Sequence, residues 1–265
     1  MRVSKRRGIG FAVILLGWAA SSANPQAQDI PVALFNGSDL AGFYSFLGRR
    51  PGEKEPIGKN ADTLGVFTVR EGTIRISGEV NGYLSTEKEF ENFHLTVEFK
   101  WGEATHPPRK EKARAGGILY HVGGADKTWP TPSLECQFIE GGTGSILLQG
   151  SKFNFDEALR PLLSPMIKLS RDETKVLAGR IYRIGHDPDW QDVKGFRAKD
   201  EVEKPRGEWN VVEVISEGGA FRHILNGRVV AKGSGAEPCK GRIALISEGA
   251  EIFIRKMELR PRPPK

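Results

Sequence analysis

The stretch Pro132 to Glu140, PSLECQFIE, carries the residue types best suited to chemistry in this chain. Side chains alternate along a β-strand, so Leu134, Cys136 and Phe138 fall on one face and Glu135 and Gln137 on the other. A carboxylate and an amide then stand roughly 6.6–6.8 Å apart along the strand. In a straight strand Glu140 falls on the apolar side, and only a bulge brings it to the polar one. Two readings fit: a half-exposed strand with ordinary polar residues, or the floor of a sugar-binding groove.

Other candidate strands supply more polar groups. Phe93 to Trp101, FHLTVEFKW, is the clearest amphipathic strand, with Phe93, Leu95, Val97 and Phe99 on one face and His94, Thr96, Glu98 and Lys100 on the other. Ala115 to Val122, AGGILYHV, offers His121. If these strands neighbour Glu135 and Gln137, then Glu98, Lys100 and His121 share one open face with them. A concave sheet with carboxylate, histidine, lysine and amide suits gripping a polyol and moving protons on it. His121 and His223 read equally well as satisfied strand histidines. Asp187, Asp189 and Asp192 surround Trp190; their spacing fits a solvated acidic turn better than a calcium loop. No zinc motif, P-loop, nucleophile elbow or dinucleotide fingerprint is present. Gly141 to Gly144 has no helix after it and reads as a turn.

The elements that must position these groups are nearly all strands. Val66–Val69 and Thr73–Ser77 form a hairpin across Glu71-Gly72, and Phe221–Leu225 and Arg228–Ala231 form another across Asn226-Gly227. Short strands are also expected at Val32, Gly82–Thr86, Ser145–Leu148, Arg180–Ile184, Glu208–Ile215, Gly241–Ile246 and Glu251–Arg260. Gly102–Arg114 and Lys152–Pro205 read as insertions. Pro161 and Pro165 interrupt any helix in the second. Many short strands and almost no helix predict an all-β sandwich or jelly roll of two antiparallel sheets, in one domain.

The 265 residues carry a net charge of +6 and 38% hydrophobic residues, enough for one sizeable core. Much of the basic excess sits at the two ends, with no continuous basic stripe, which argues against nucleic acid. Residues 1–27 read as a signal peptide: MRVSKRR, then the apolar GIGFAVILLGWAA, then small residues with cleavage after Ala23 or Ala27. The apolar run is short for a membrane span, so a mature chain of 28–265, periplasmic or secreted and free of the membrane, is expected. Export permits a Cys136–Cys239 bridge, although Cys136 reads equally as a small buried thiol.

Taken together, the motifs resemble the 3-keto-disaccharide hydrolase domain family, a jelly roll of the concanavalin A-like lectin/glucanase type. The resemblance runs through LFNGSDLAGF (Leu34–Phe43), GYLSTEKEFENFHLTVEFKW (Gly82–Trp101), GGILYHV (Gly116–Val122) and LECQFIE (Leu134–Glu140). It continues in GEWNVVEV (Gly207–Val214), LNGRVV (Leu225–Val230) and the closing GRIALISEGAEIFIRKMEL. The chain departs from the family's Asn-Ser-Gly before Gly-Ile, with Ala115 and Gly116 ahead of Gly117, and has Glu140 where the family has Asp.

The resemblance implies action on glycosides oxidised at carbon 3. The ketone acidifies the carbon 2 proton, a base removes it, the enolate expels the glycosidic oxygen, and water adds back. His121 or Glu135 is then expected as base, with Lys100 and Gln137 orienting or polarising the carbonyl and Glu98 tuning or ligating. Trp209, His223, Asn226 and Glu140 are expected to line the sugar site. A divalent metal on the ketone is compatible with this chemistry, but no sequence motif identifies one. The same face also fits a non-catalytic carbohydrate-binding module, or a retaining glucanase using Glu135 and Glu140. Sugar, linkage, aglycone and oligomeric state stay open.

Overall fold

The computed structural model describes residues 30–130 and 132–263; the leader expected at 1–27 lies outside them. Strands are numbered β1 to β18 in chain order. The back sheet, eight-stranded, runs β16 (Arg228–Gly233), β15 (Ala220–Leu225), β14 (Asn210–Glu217), β7 (Phe93–Thr105), β18 (Ala250–Pro261), β5 (Thr73–Ile76), β4 (Phe67–Arg70). Strand β1 (Val32–Ala33) pairs with β18 at its side. The front sheet, ten-stranded, begins β11 (Phe153–Asn154), β13 (Lys175–Ile181), β10 (Ile146–Gln149), β9 (Ser133–Ile139), β8 (Ala115–Val122). It continues β17 (Arg242–Ser247), β6 (Gly82–Thr86), β2 (Phe43–Leu47), β3 (Gly58–Lys59), with β12 (Lys168–Leu169) against β13. The pairings are antiparallel.

Alternation in the sequence becomes burial between the sheets. Phe93, Leu95, Val97 and Phe99 of β7 are fully buried, and so are Ile118 and Tyr120 of β8 and Leu134 and Cys136 of β9. Phe99 and Phe138 stack across the interface with ring centres 4.1 Å apart, joining the two sheets. Each such side chain contributes about 1.5–3 kcal/mol on burial. The two predicted hairpins form. Glu71 and Gly72 have φ of 48° and 71°, and Asn226 and Gly227 49° and 82°, the two positive angles a type I′ turn demands.

Two expectations need correction. The 152–175 stretch is not merely a surface insertion: β11, β12 and the start of β13 extend the front sheet, with a 3-10 turn at Glu157–Leu162 between them. The turn is capped by Asp156, whose carboxylate accepts from the Ala158 N–H. Its apolar residues looked irregular because they pack around a turn and onto strand edges, with no single period. Strand β7 also runs on to Thr105, shortening the expected loop. The cysteines are both free: Cys136 is buried in the core and Cys239 is exposed.

Candidate active site

The polar face of β9 is the outer surface of the front sheet. Register places Leu147 of β10, Glu135 and Leu119 of β8 in one row, and Gln137 beside Gly117. Residues two apart on a strand share a face, so Arg180 of β13, opposite Leu147, joins the first row. Glu248 follows β17 and bridges Ala115 on the same side. Gly117 matters here: a Cβ at that position would stand 2.9 Å from the Glu135 Oε1. The carboxyl therefore leans across a strand that carries no side chain in its way.

Glu135 and Gln137 are almost wholly buried, while Arg180 and Glu248 are only half-buried. Glu135 is thus set deeper than Arg180 and Glu248. Glu135 Oε1 and Gln137 Oε1 have no hydrogen-bond partner within the chain, and neither has the Arg180 Nε. Buried polar atoms without partners are costly, on the order of 1–3 kcal/mol each, so these three call for a partner from outside the chain, water or ligand. The two insertions meet beside this cluster. Arg109, from the first, donates to Asp192, from the second, at 2.7 Å. Both act electrostatically on Glu248.

Charge follows from this packing. Burial pushes the Glu135 carboxyl well above the ordinary carboxylate range, and the Glu248 charge adds to the push; Arg180 and a hydrogen bond from Gln149 oppose it. Burial also raises Glu248, less strongly, with Arg109 and Arg180 pulling it back. Both carboxyls are thus pushed toward the protonated form, with burial the main cause in each. Arg180, whose Nε has no partner, acts electrostatically on both carboxyls.

Further across the same face, an apolar strip of Leu119, Ala244 and Ile246 leads to Tyr44 and Tyr83. Both hydroxyls donate to Asp126 Oδ1, at 2.8 and 3.0 Å, and Lys59 donates to Oδ2 at 3.0 Å. Trp129, on the same loop as Asp126, packs against the strip. The Asp126 hub thus fastens the 123–130 loop over one end of the face.

The structure does not bring together all the residues expected to share it. Glu98 and Lys100 lie on the outer face of the back sheet. There Glu98 accepts from Arg255 at 2.5 Å, and Lys100 sits 4.9 Å from the Trp209 ring centre, which Arg255 also covers at 4.4 Å. These three, with Trp209, stand on the opposite side of the sandwich from Glu135 because β7 belongs to the other sheet. His121 points inward instead of onto the outer face. Its φ of 55° and the register shift between Arg242 and Ala244 make a β-bulge that breaks the alternation. Its Nε2 lies 2.9 Å from the Ser216 hydroxyl of the back sheet, and burial lowers its pKa to about 4.

His223 is likewise a core residue. Nδ1–H donates to the Gly144 carbonyl and Nε2 accepts from the Tyr120 hydroxyl, each at 2.9 Å, and burial lowers its pKa to about 4. Asn226 serves its turn, accepting from the Val211 N–H and donating to the Val202 carbonyl. Glu140 is locked to Arg114 at 2.7 Å and also accepts from the Gly195 N–H, so it ties the second insertion down. The aspartates around Trp190 diverge: Asp187 caps the Asp189 and Lys199 N–H groups, Asp189 meets Lys199, and Asp192 meets Arg109. Among the described residues no three His, Cys, Asp or Glu side chains gather where a metal could be held.

Arg180 and Glu248 were not legible as site residues. Arg180 lies in a weakly β segment, and Glu248 follows a strand in what reads as a turn; only sheet order sets them beside Glu135. A cleft of about 1050 Å³ lies elsewhere, between the 3-10 turn and the ends of β14 to β16. Its walls, such as Phe155, Leu159 and Phe221, are mainly apolar and hold none of the unpartnered carboxyls, so chemistry rather than size locates the site.

The fold is a concanavalin A-like jelly-roll sandwich with a buried polar cluster on the outer side of its front sheet. The chain belongs to the 3-keto-alpha-glucoside-1,2-lyase-like domain family, whose model matches residues 31–260. A solved structure of a candidate glycosyl hydrolase from Parabacteroides distasonis is similar at TM-score 0.53 and 18% identity, covering 90% of this chain and 96% of that one. A second from the same organism gives 0.48 and 18%, covering 88% and 100%. The LamA catalytic domain of Zobellia galactanivorans gives 0.44 and 10%, covering 83% and 91%. At such identities the first of these likenesses is one of fold. A comparison with curated proteins finds no match. No helix among the described residues is long and apolar enough to cross a membrane.

Proposed function

We propose that this protein cleaves glycosides bearing a ketone at carbon 3, using Glu135 and Glu248 as its proton-transfer pair and Arg180 as its electrophilic group. The observation that carries the reading is the buried Glu135 carboxyl with one unpartnered oxygen, set beside a second raised carboxyl and a guanidinium whose Nε has no partner. Two carboxyls in unlike environments divide between them the roles of acid and base.

Glu248, the less buried of the two, takes the proton from carbon 2. The C–H electrons form the C2–C3 double bond, and the carbonyl π electrons move to the oxygen on carbon 3. Arg180 stabilises that oxyanion, as a fixed cation in a poorly solvated site does best. As the ketone re-forms, the C2–C3 π electrons become the C1–C2 double bond of the enone and the C1–O bond breaks onto the glycosidic oxygen, which takes the Glu135 proton. Water then adds to carbon 1, losing a proton to the Glu135 carboxylate, while Glu248 returns its proton to carbon 2, and the free 3-keto sugar results. Gln137 is placed to orient the sugar, and no step uses Glu98, Lys100, His121 or His223.

The test is turnover of a 3-keto-glucoside against the matching unoxidised glucoside, with and without chelator, by wild type, Glu135→Gln and Glu248→Gln. Cleavage of the keto sugar alone, lost in both variants, is expected. Cleavage of the unoxidised glucoside overturns the reading in favour of ordinary hydrolysis. Binding of both without cleavage overturns it in favour of a binding module.

A further inference from the structure

The chemistry above leaves the cleft of about 1050 Å³ unused. It opens along the side of the sandwich, where the edge strand β16 of the back sheet faces β10 and β13 of the front sheet. Two hydrogen bonds anchor β16 to the front-sheet side. The Ile184 N–H donates to the Val230 carbonyl at 2.6 Å, and the Asn154 N–H to the Ser234 carbonyl at 2.8 Å. The residues of β16 between these anchors, Ala231 to Gly233, line the cleft.

Its inner walls are core residues. Ile146 and Ile181 are register partners on the front sheet, Phe221 and Ala231 belong to the back sheet, and each is 5% exposed or less. Phe153 holds Phe221 edge-on, with ring centres 5.1 Å apart. The opposite wall is the 3-10 turn, with Leu159 in it and Phe155 just before it. Arg160 braces that wall: it donates to Glu157 and Glu173 and lies 5.0 Å from the Phe155 ring centre. The cleft is thus preformed and mainly apolar, at the upper end of the roughly 300–1,000 Å³ that ligand sites span.

The charges at its mouth are unevenly used. The acids are committed: Asp156 accepts from the Ala158 N–H, Glu157 from Arg160, and Glu217 from Arg262. The bases are not. Arg222 of β15 and Lys232 of β16 are exposed register partners, and among the described residues no carboxylate forms an ion pair with either. Directly opposed residues have Cβ atoms about 4.5–5.5 Å apart, and like charges so placed repel. One anion seated between them would relieve that repulsion.

We propose that this cleft binds a single-chain anionic amphiphile of the fatty-acid class, with the alkyl chain along Ile146, Ile181 and Phe221 and the carboxylate between Arg222 and Lys232. Complementarity supports this occupant: carbon walls for the chain and two uncommitted cations for the head. A sugar in the same place would set its hydroxyls against carbon without partners, and a cationic head would meet Arg222 and Lys232. This site is independent of the keto-glycoside chemistry at Glu135.

The test is calorimetric titration of the protein with sodium octanoate, decanoate and dodecanoate, each below its micelle concentration. Dodecyltrimethylammonium and dodecyl maltoside supply cationic and neutral heads on the same chain. Vesicles of zwitterionic lipid, with and without an anionic lipid, supply a bilayer. Wild type is compared with Arg222→Gln/Lys232→Gln, both exposed, and with Ala158→Trp, which sets a large ring at the exposed mouth. Carboxylate affinity is expected to rise about threefold to fourfold per added methylene. The double variant should bind dodecanoate about tenfold more weakly and dodecyl maltoside as wild type does. Ala158→Trp should weaken both, and circular dichroism confirms that each variant folds. Equal affinity for the cationic head, no gain with chain length, or no loss in the double variant overturns the proposal. Loss in the double variant alone, with Ala158→Trp unchanged, confines binding to the outer face and overturns the cleft. Binding to anionic vesicles without binding of the free carboxylates overturns it in favour of a membrane surface.

Discussion

Strands β7 and β9 have the same design and opposite fates. Each alternates a buried apolar row with an outward row containing a glutamate and a second polar residue two positions on: Glu98 and Lys100, Glu135 and Gln137. On β7 the outward groups are used up. Arg255 neutralises Glu98, and Lys100 and Arg255 lie over the Trp209 ring. On β9 the outward groups are buried, and one oxygen of each, Glu135 Oε1 and Gln137 Oε1, has no partner within the chain. The lesson is that amphipathic pattern marks a face, while a functional face shows itself by polar groups that the protein has desolvated and left unsatisfied.

The largest expected effect that tests this contrast comes from the paired substitutions Glu135→Gln and Glu98→Gln, read by kcat/KM on the keto substrate. The first should cost at least about a thousandfold, in the range of a lost acid-base group. The second should stay within about twofold and within about 1 kcal/mol in urea denaturation, as exposed ion pairs do. Comparable losses in the two would break the distinction between the faces.

A smaller effect, in stability alone, is expected at His223. Removing the ring in His223→Ala leaves the Tyr120 hydroxyl and the Gly144 carbonyl without their partners in the core. Denaturation should show a loss of about 2–4 kcal/mol, with the turnover number of the folded fraction kept. A fall in turnover at unchanged stability would return His223 to the site.

The smallest concerns a third carboxyl, which is buried yet satisfied. Glu203 accepts from the Trp101 indole N–H at 2.5 Å and from the Thr143 hydroxyl. Burial raises its pKa from 4.5 to about 8 in spite of those bonds. The folded state therefore binds this proton more tightly than the unfolded chain. Its contribution is fully present below pH 4.5 and is lost as pH rises to about 8. Glu203→Gln should flatten the stability profile across that window and leave kcat/KM unchanged. An unaltered profile would show that Glu203 ionises in the fold like an exposed carboxylate. This sharpens the contrast, since Glu203 shares the burial of Glu135 but has both carboxylate oxygens bonded inside the chain.

Much of the architecture was written locally. The alternation of Phe93 to Trp101 and of Leu134 to Phe138, with the turns at Glu71-Gly72 and Asn226-Gly227, sufficed for an all-β sandwich because each signal depends on neighbours in the chain. Glu135 and Gln137 were legible as an outward pair for the same reason. What sequence could not decide was which strands share a sheet. That is set by long-range pairing, and it sends Glu98 and Lys100 to the back while bringing Arg180 and Glu248 to the front. Nor could it show the bulge at His121, a positive φ in a non-glycine residue that turns the imidazole inward. The strand and turn pattern is thus the sequence's own contribution. The site is a product of tertiary structure, because the desolvation that raises Glu135 and leaves its Oε1 without a partner exists only once distant strands pack around it.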